Sequence, residues 1–340
     1  MKIETKKFGE INGETVTKYT LINQHETKIS LITLGATWQD FSVKETDGRH
    51  QLLVNFDNLE DYIKTPYYLC KAVGRVAGRI AGAQFSIAGK DYHIENNEKD
   101  YALHGGSHGF SFINWSAESR VDEKQASVIF KHYIKSSDDQ YPGNLEATII
   151  YTLTENDRVT VTFLGKSDQA TLFNPTLHAY FNVTDSQHDL RKQWLKINSS
   201  KRLELNTNKI PTGNFLPVKG SNYDFQQKEN LQDVLDKLKK DQSIIELDDI
   251  FLVTPNSQEP VAEIGDSADK RRIKIYSQRN AVVVFTTNPL DPEREKQHDF
   301  NALAIECQTL PDAIHHQNFG DIILPAGKTA VYNIAYQYEH

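Results

Sequence analysis

The residues of this chain best suited to moving protons are two histidines and a glutamate, far apart in sequence. They sit in Ala102-Leu103-His104-Gly105-Gly106, in Asn174-Pro175-Thr176-Leu177-His178-Ala179-Tyr180-Phe181-Asn182 and in Ala304-Ile305-Glu306-Cys307-Gln308. An imidazole lends and recovers a proton near neutral pH, and a carboxylate in an apolar strand is costly unless paired or used. Side-chain alternation along a strand puts Leu177, Ala179, Phe181 and Val183 on one face and His178, Tyr180 and Asn182 on the other. The same period sets Leu303, Ile305 and Cys307 opposite Ala304, Glu306 and Gln308. Each strand therefore has one face for a core and one for a site. Taken singly, a core hydrogen bond for His178 and a salt bridge for Glu306 are equally good accounts. Their joint occurrence favours acid/base chemistry.

The other candidates are weaker. The run Gly74-Arg75-Val76-Ala77-Gly78-Arg79-Ile80-Ala81-Gly82 is no phosphate loop, because no Lys-Ser or Lys-Thr follows and no helix pattern begins there. A closely packed loop that aims Arg75 or Arg79 at a partner is the better account, since a guanidinium holds two sugar oxygens or one carboxylate. In isolation either arginine is more ordinary as half of a structural ion pair. His104 heads a glycine-rich stretch expected to be flexible enough to carry an imidazole to a ligand, with a surface histidine near a turn as the plainer alternative. Asp248-Asp249, ahead of Ile250-Phe251, reads first as a turn, with hydroxyl binding or ion coordination as alternatives. His188 and His315-His316 lack partners at metal-ligand spacing, so no catalytic metal is expected.

The elements that must position these groups are strands. Thr15 to Ile22, Lys28 to Leu34, Ser127 to Tyr133, Thr148 to Thr154 and Val159 to Leu164 alternate in polarity and are rich in β-formers. Asn12-Gly13, Asp47-Gly48 and Glu155-Asn156-Asp157 supply turns. Helices are few: Leu231, Val234, Leu235 and Leu238 make one apolar stripe, and a short helix is expected around Asn58 to Ile63. The polar stretches Asp185 to Gln193 and Pro289 to Asp299 read as solvated loops. No strand-helix alternation occurs, so the expected fold is all-β, a large antiparallel β-sandwich formed by residues 1–340 as a single domain.

With 340 residues and a net charge of −8, the chain is a poor match for nucleic acid or an anionic membrane, so neither is an expected partner. A charged amino-terminal segment and the lack of any long apolar run argue for a cytoplasmic protein with no membrane span. Cys70 and Cys307 sit in apolar surroundings and read as reduced, packed thiols. A monomer or weak homodimer is expected.

These segments, in this order, resemble the aldose 1-epimerase (galactose mutarotase) family. The likeness rests on Gly74 to Gly82, Leu103-His104-Gly105-Gly106, the His-x-Tyr-Phe-Asn core at His178, Asp248 to Phe251, and Glu306-Cys307-Gln308 with Pro311-Asp312-Ala313 behind it. It implies a galactose-mutarotase-like sandwich that binds a small aldose sugar on a concave sheet and uses no cofactor. By the same likeness Glu306 is the base at the anomeric hydroxyl, His178 the acid at the ring oxygen and His104 its assistant, while Arg79 and Asp248 bind sugar oxygens. Glu306 is then expected to rest charged and His178 protonated, with the two closing on one hexose from opposite flanks and a bell-shaped pH profile between their pKa values. Three positions depart from the family pattern: Asp249 stands where many relatives have His, Gly78 replaces an Asn, and Val283 replaces a polar sugar contact. Galactose or glucose is the favoured substrate, with maltose next. A hexose-6-phosphate epimerase, a non-catalytic sugar-binding module and a two-carboxylate glycosidase are the competing readings.

Overall fold

The computed structural model describes residues 1–185, 189–242 and 246–339; His188 and part of the stretch from Asp185 to Gln193 lie outside the described residues. Two large antiparallel sheets and an amino-terminal meander form the body. The meander runs Lys2–Ile11, Glu14–Ile22, Lys28–Ile32, Thr37–Glu45 and Gly48–Gln51. The larger sheet has nine strands in the order Ser116–Val121, Gln125–Ile134, Leu145–Thr154, Arg158–Ser167, Thr329–Glu339, Arg272–Ser277, Ala262–Asp266, Gln193–Ile197 and Glu229–Asn230. Its central strand is the last in the chain, held between Arg158–Ser167 and Arg272–Ser277. The sheet therefore closes only when both halves of the sequence are present.

The smaller sheet carries the site. Its order is Ala179–Phe181, Ala302–Gln308, Ala281–Thr287, Asp248–Leu252, Lys201–Leu205 and Pro211–Pro217. One face meets the core, where Leu303, Ile305, Cys307, Val282 and Val284 pack with Phe181 and Trp38. Trp38 lies amid Phe41, Tyr336, Phe181 and Tyr151, with ring centroids 5.0–6.5 Å away, close enough for edge and offset contacts. The period-two reading of both site strands thus holds on the apolar side. On the polar side it holds for His178, Tyr180, Glu306 and Gln308. Asn182 turns instead to the Asn301 and Asp189 carbonyls, 2.7 and 3.0 Å away, and serves the fold.

Four α-helices occur among the described residues. The apolar stripe of Leu231–Gln242 is buried as its spacing requires, and Leu59–Lys64 starts on Asn58, whose side chain accepts from the Asp61 amide. The segment from Pro289 to Asp299, expected to be a loop, holds a third helix, Pro292–Lys296. Asp291 caps it and Pro292 opens it, the usual start signals, but five residues are too short to show an apolar period. The fourth is Ser136–Asp139. No described helix is long and apolar enough to cross a membrane.

Candidate active site

Strand register explains why Glu306 faces the cleft. Glu306 pairs with Val283, and Val283 with Ile250, giving one row across three strands; Ala304, Phe285 and Asp248 form the next row. Asp248 and Asp249 thus begin the strand Asp248–Leu252 rather than making the expected turn. Asp248 projects into the cleft. Asp249 projects the other way, onto Arg202 at 3.2 Å, whose guanidinium lies 3.9 Å from the Tyr223 ring centroid. Its departure from the family pattern therefore lies on the core side of the sheet, and burial raises its carboxyl to about 6. Val283 does line the cleft, beside Glu306.

His178 precedes the edge strand Ala179–Phe181 and is strapped on both sides, its amide donating to the Lys71 carbonyl and its carbonyl accepting from the Cys70 amide. Asn174 ties its segment to the end of the Glu306 strand through a pair of bonds with the Thr309 backbone, each 3.0 Å. Buried Arg279 reinforces this junction, donating to Asn174, Thr309 and the Pro175 carbonyl while stacking 3.7 Å from the Tyr332 ring centroid. Nothing in the local sequence marked Arg279. These links bring His178 Nε2 to 3.4 Å from Glu306 Oε1.

His104 is held by a two-way link: Gly78 donates its amide to His104 Nδ1 at 3.2 Å, and the His104 amide donates to the Gly78 carbonyl at 3.0 Å. An Nδ1 that accepts a bond leaves the proton of a neutral ring on Nε2. The glycines behind it are not a flexible carrier as expected. Gly105 has φ +88°, and a Cβ there would sit 1.9 Å from the Gly74 carbonyl oxygen, so their role is close backbone approach. Gly78, φ +74°, is equally constrained, since a Cβ would meet Pro311 at 2.8 Å and Gln308 at 3.1 Å.

The two arginines part company. Arg75 is fully buried and bonds Asp139 with two nitrogens, at 2.6 and 3.0 Å, so its role is the structural ion pair. Arg79 lines the cleft, 3.8 Å from Asp248, with Lys209 3.5 Å from the same carboxylate oxygen. Lys209 escaped the sequence reading because an isolated loop lysine carries no pattern. His315 and His316 both turn to Asp312, at 2.6 and 3.6 Å, and do not line the cleft.

Together these residues line a cleft of about 170 Å³, with Pro66, Tyr67 and Phe285 at its walls. His178 lies between two tyrosines, its ring centroid 4.8 Å from Tyr180 and 6.3 Å from Tyr68, with His104 edge-on at 5.3 Å. Burial raises Glu306 to about 8, helped by the charge of Asp248, and lowers His178 to about 3. Burial, with the neighbouring His178, also holds His104 well below the usual imidazole range. Burial thus favours the neutral form of both groups, Glu306 with its proton and His178 without one, rather than the charged glutamate and protonated histidine expected. Ligand atoms of His104, His178 and Glu306 lie within 4.8 Å of one another, but the proton on His104 Nε2 occupies the nitrogen that a cation would need.

Fold and cleft define the class: an antiparallel β-sandwich isomerase with a carboxylate and two imidazoles at the floor of its cleft. The chain belongs to the aldose 1-epimerase family, whose model matches residues 17–337, and its reaction is the interconversion of the α and β anomers of an aldose. It is 52% identical to a maltose epimerase of Levilactobacillus brevis, over 99% of both chains. It is 36% identical to an aldose 1-epimerase of Streptococcus thermophilus, again over 99% of both, and 28% identical to human galactose mutarotase over 94% of both. Among solved structures, galactose 1-epimerase from Lactobacillus acidophilus shares the fold, with a TM-score of 0.85 at 23% identity and coverage of 99% and 98%.

Proposed function

We propose that Glu306 and His178 catalyse anomer exchange by opening and reclosing the sugar ring, and that the substrate is a free aldohexose or a maltose-type disaccharide with a free reducing end. The observation that carries the reading is the 3.4 Å contact between His178 Nε2 and Glu306 Oε1 on a cleft floor. In a hemiacetal the hydroxyl to be deprotonated and the ring oxygen to be protonated hang on one carbon. An acid and a base side by side fit that chemistry. Glu306 takes the proton of the anomeric hydroxyl as His178 gives one to the ring oxygen, and the C1–ring oxygen bond breaks. The aldehyde turns about C1–C2, the ring oxygen attacks its other face, and each proton returns to its donor. His104 donates from Nε2 to the ring oxygen, Arg79 and Asp248 hold the remaining hydroxyls, and Tyr67 and Phe285 offer faces for sugar carbons. The protein acts as a monomer or weak homodimer in the cytoplasm.

A 6-phosphate substrate is less well supported. The cleft cations Arg79 and Lys209 are already committed to Asp248, and Arg271 is bound by Glu45 and Asp185. Polarimetry on freshly dissolved α-glucose, α-galactose, maltose and glucose 6-phosphate is expected to show catalysis of maltose and glucose, with the phosphate ester at least about tenfold slower. Preference for the phosphate ester would overturn the substrate reading.

The catalytic form, Glu306 charged and His178 protonated, holds the same single proton as the resting pair, so the pair titrates as a unit. Activity is therefore expected to fall as pH rises through about 8, where that proton is lost, and to persist on the acid side down toward about 3, where a second is gained. A rate constant from neutrality to about pH 10, after subtraction of the spontaneous reaction, contradicts the pair as acid and base.

A further inference from the structure

Pairing of the edge strand Ala179–Phe181 with Ala302–Gln308 ends at Ala179 and Ile305. One further step of that register sets His178 opposite Glu306, but the backbone of His178 bonds Lys71 and Cys70 instead, and Thr176 and Leu177 pair with Val73 and Ala72. Beyond the catalytic pair the two segments are therefore tied by side chains. The Thr176 hydroxyl donates to the Cys307 carbonyl at 2.8 Å, and the Asn174 amide bridges the Thr309 backbone. Arg279 locks this second tie: its guanidinium donates to Asn174 Oδ1 and, through two nitrogens at 2.9 and 3.1 Å, to the Thr309 hydroxyl. Arg279 is buried with no carboxylate partner among the described residues, and burial lowers it to about 10. A cation so placed is costly, and its guanidinium bonds all go to the His178 segment or to the end of the Glu306 strand.

We propose that Arg279 is a positioning residue for anomer exchange: from outside the cleft it closes the side of the His178–Glu306 contact that the strand ladder leaves open, and so sets the distance between acid and base. This rests on the reading that those two residues move the protons. Neither Arg279, Asn174 nor Thr309 lines the cleft, so the sugar does not touch them. A misplacement of about 1 Å between reacting groups costs on the order of 10²-fold in rate. A small shift of His178 against Glu306 therefore registers in kcat and leaves KM in place.

The test is kcat and KM for α-glucose by polarimetry in wild type, Thr309→Val, Thr309→Ser, Arg279→Lys, Arg75→Met and Glu306→Gln, at a temperature where circular dichroism shows each folded. Thr309→Val removes the acceptor of two guanidinium bonds and keeps the side chain's shape, while Arg279→Lys keeps the charge and loses the planar fork. Each is expected to lose about 10–100-fold in kcat with KM within about threefold of wild type. Thr309→Ser, which keeps the hydroxyl, is expected to stay within about threefold in both. Arg75→Met, whose lost ion pair lies away from this junction, is expected to keep its kcat, which separates positioning from loss of stability. Wild-type kcat in Thr309→Val or Arg279→Lys, a loss confined to KM, or an equal loss in Arg75→Met overturns the proposal. Failure of the underlying reading is recognised separately, by Glu306→Gln retaining full activity.

Discussion

Glu306→Gln is expected to slow anomer interconversion by roughly 10²–10⁴-fold, and His178→Asn by a similar factor. The carboxamide keeps the shape of the carboxyl and loses only its ability to take and return a proton. It also keeps the neutral form that burial favours for Glu306, so folding stability should be preserved. The loss belongs to kcat more than to KM, because the proton transfers occur in the transition state. In the proposed mechanism His178 and Glu306 act on one hemiacetal carbon as a unit, so the double variant should fall little below the worse single one. Polarimetry with subtraction of the spontaneous rate measures all three, and full activity in both single variants would remove the mechanism.

Arg75→Met should produce the largest loss of stability, about 3–5 kcal/mol, the usual cost of stripping one partner from a buried ion pair. Its guanidinium bonds Asp139, the Pro142 and Gly143 carbonyls and the Thr171 hydroxyl in a site closed to water. Burial outweighs the guanidinium and raises the Asp139 carboxyl even with its partner present, so the pair is not an obvious gain over apolar side chains; the cost comes from breaking it. Arg75→Met/Asp139→Leu should therefore recover much of the loss. Denaturant unfolding measures the stability, and KM for the sugar should not move. A raised KM with unchanged unfolding would mean that Arg75, not Arg79 alone, reaches the substrate.

The contrast between these two arginines shows where legibility ended. Both lie in one glycine-rich run and neither has a distinguishing neighbour, so local pattern left their roles interchangeable and only the family likeness singled out Arg79; Asp139, 64 residues away, claims Arg75, and Asp248 faces Arg79. Glu306 and His178 were legible because alternation is local: an apolar face on each strand leaves the polar residue nowhere to go but the opposite side. By the same rule Gln308 was placed on the site face, but that neither of its amide atoms has a partner among the described residues could not be read without knowing every neighbour. Arg279 and Lys209 act through contacts with remote segments and left no local trace. Asp248 was misread as a turn because two adjacent acids favour loops, and only pairing with the strand Ala281–Thr287 holds them extended.

Sequence alone determined the all-β architecture, the core-facing residues of the site strands and the family to which they point, since these follow from periods of two and from short motifs. Tertiary structure decided which charges meet, that Glu306 and His178 stand side by side, and that burial raises the Glu306 carboxyl and lowers the His178 imidazole. Those outcomes depend on distance and on exclusion of water, which arise only when strands more than a hundred residues apart close around one cleft.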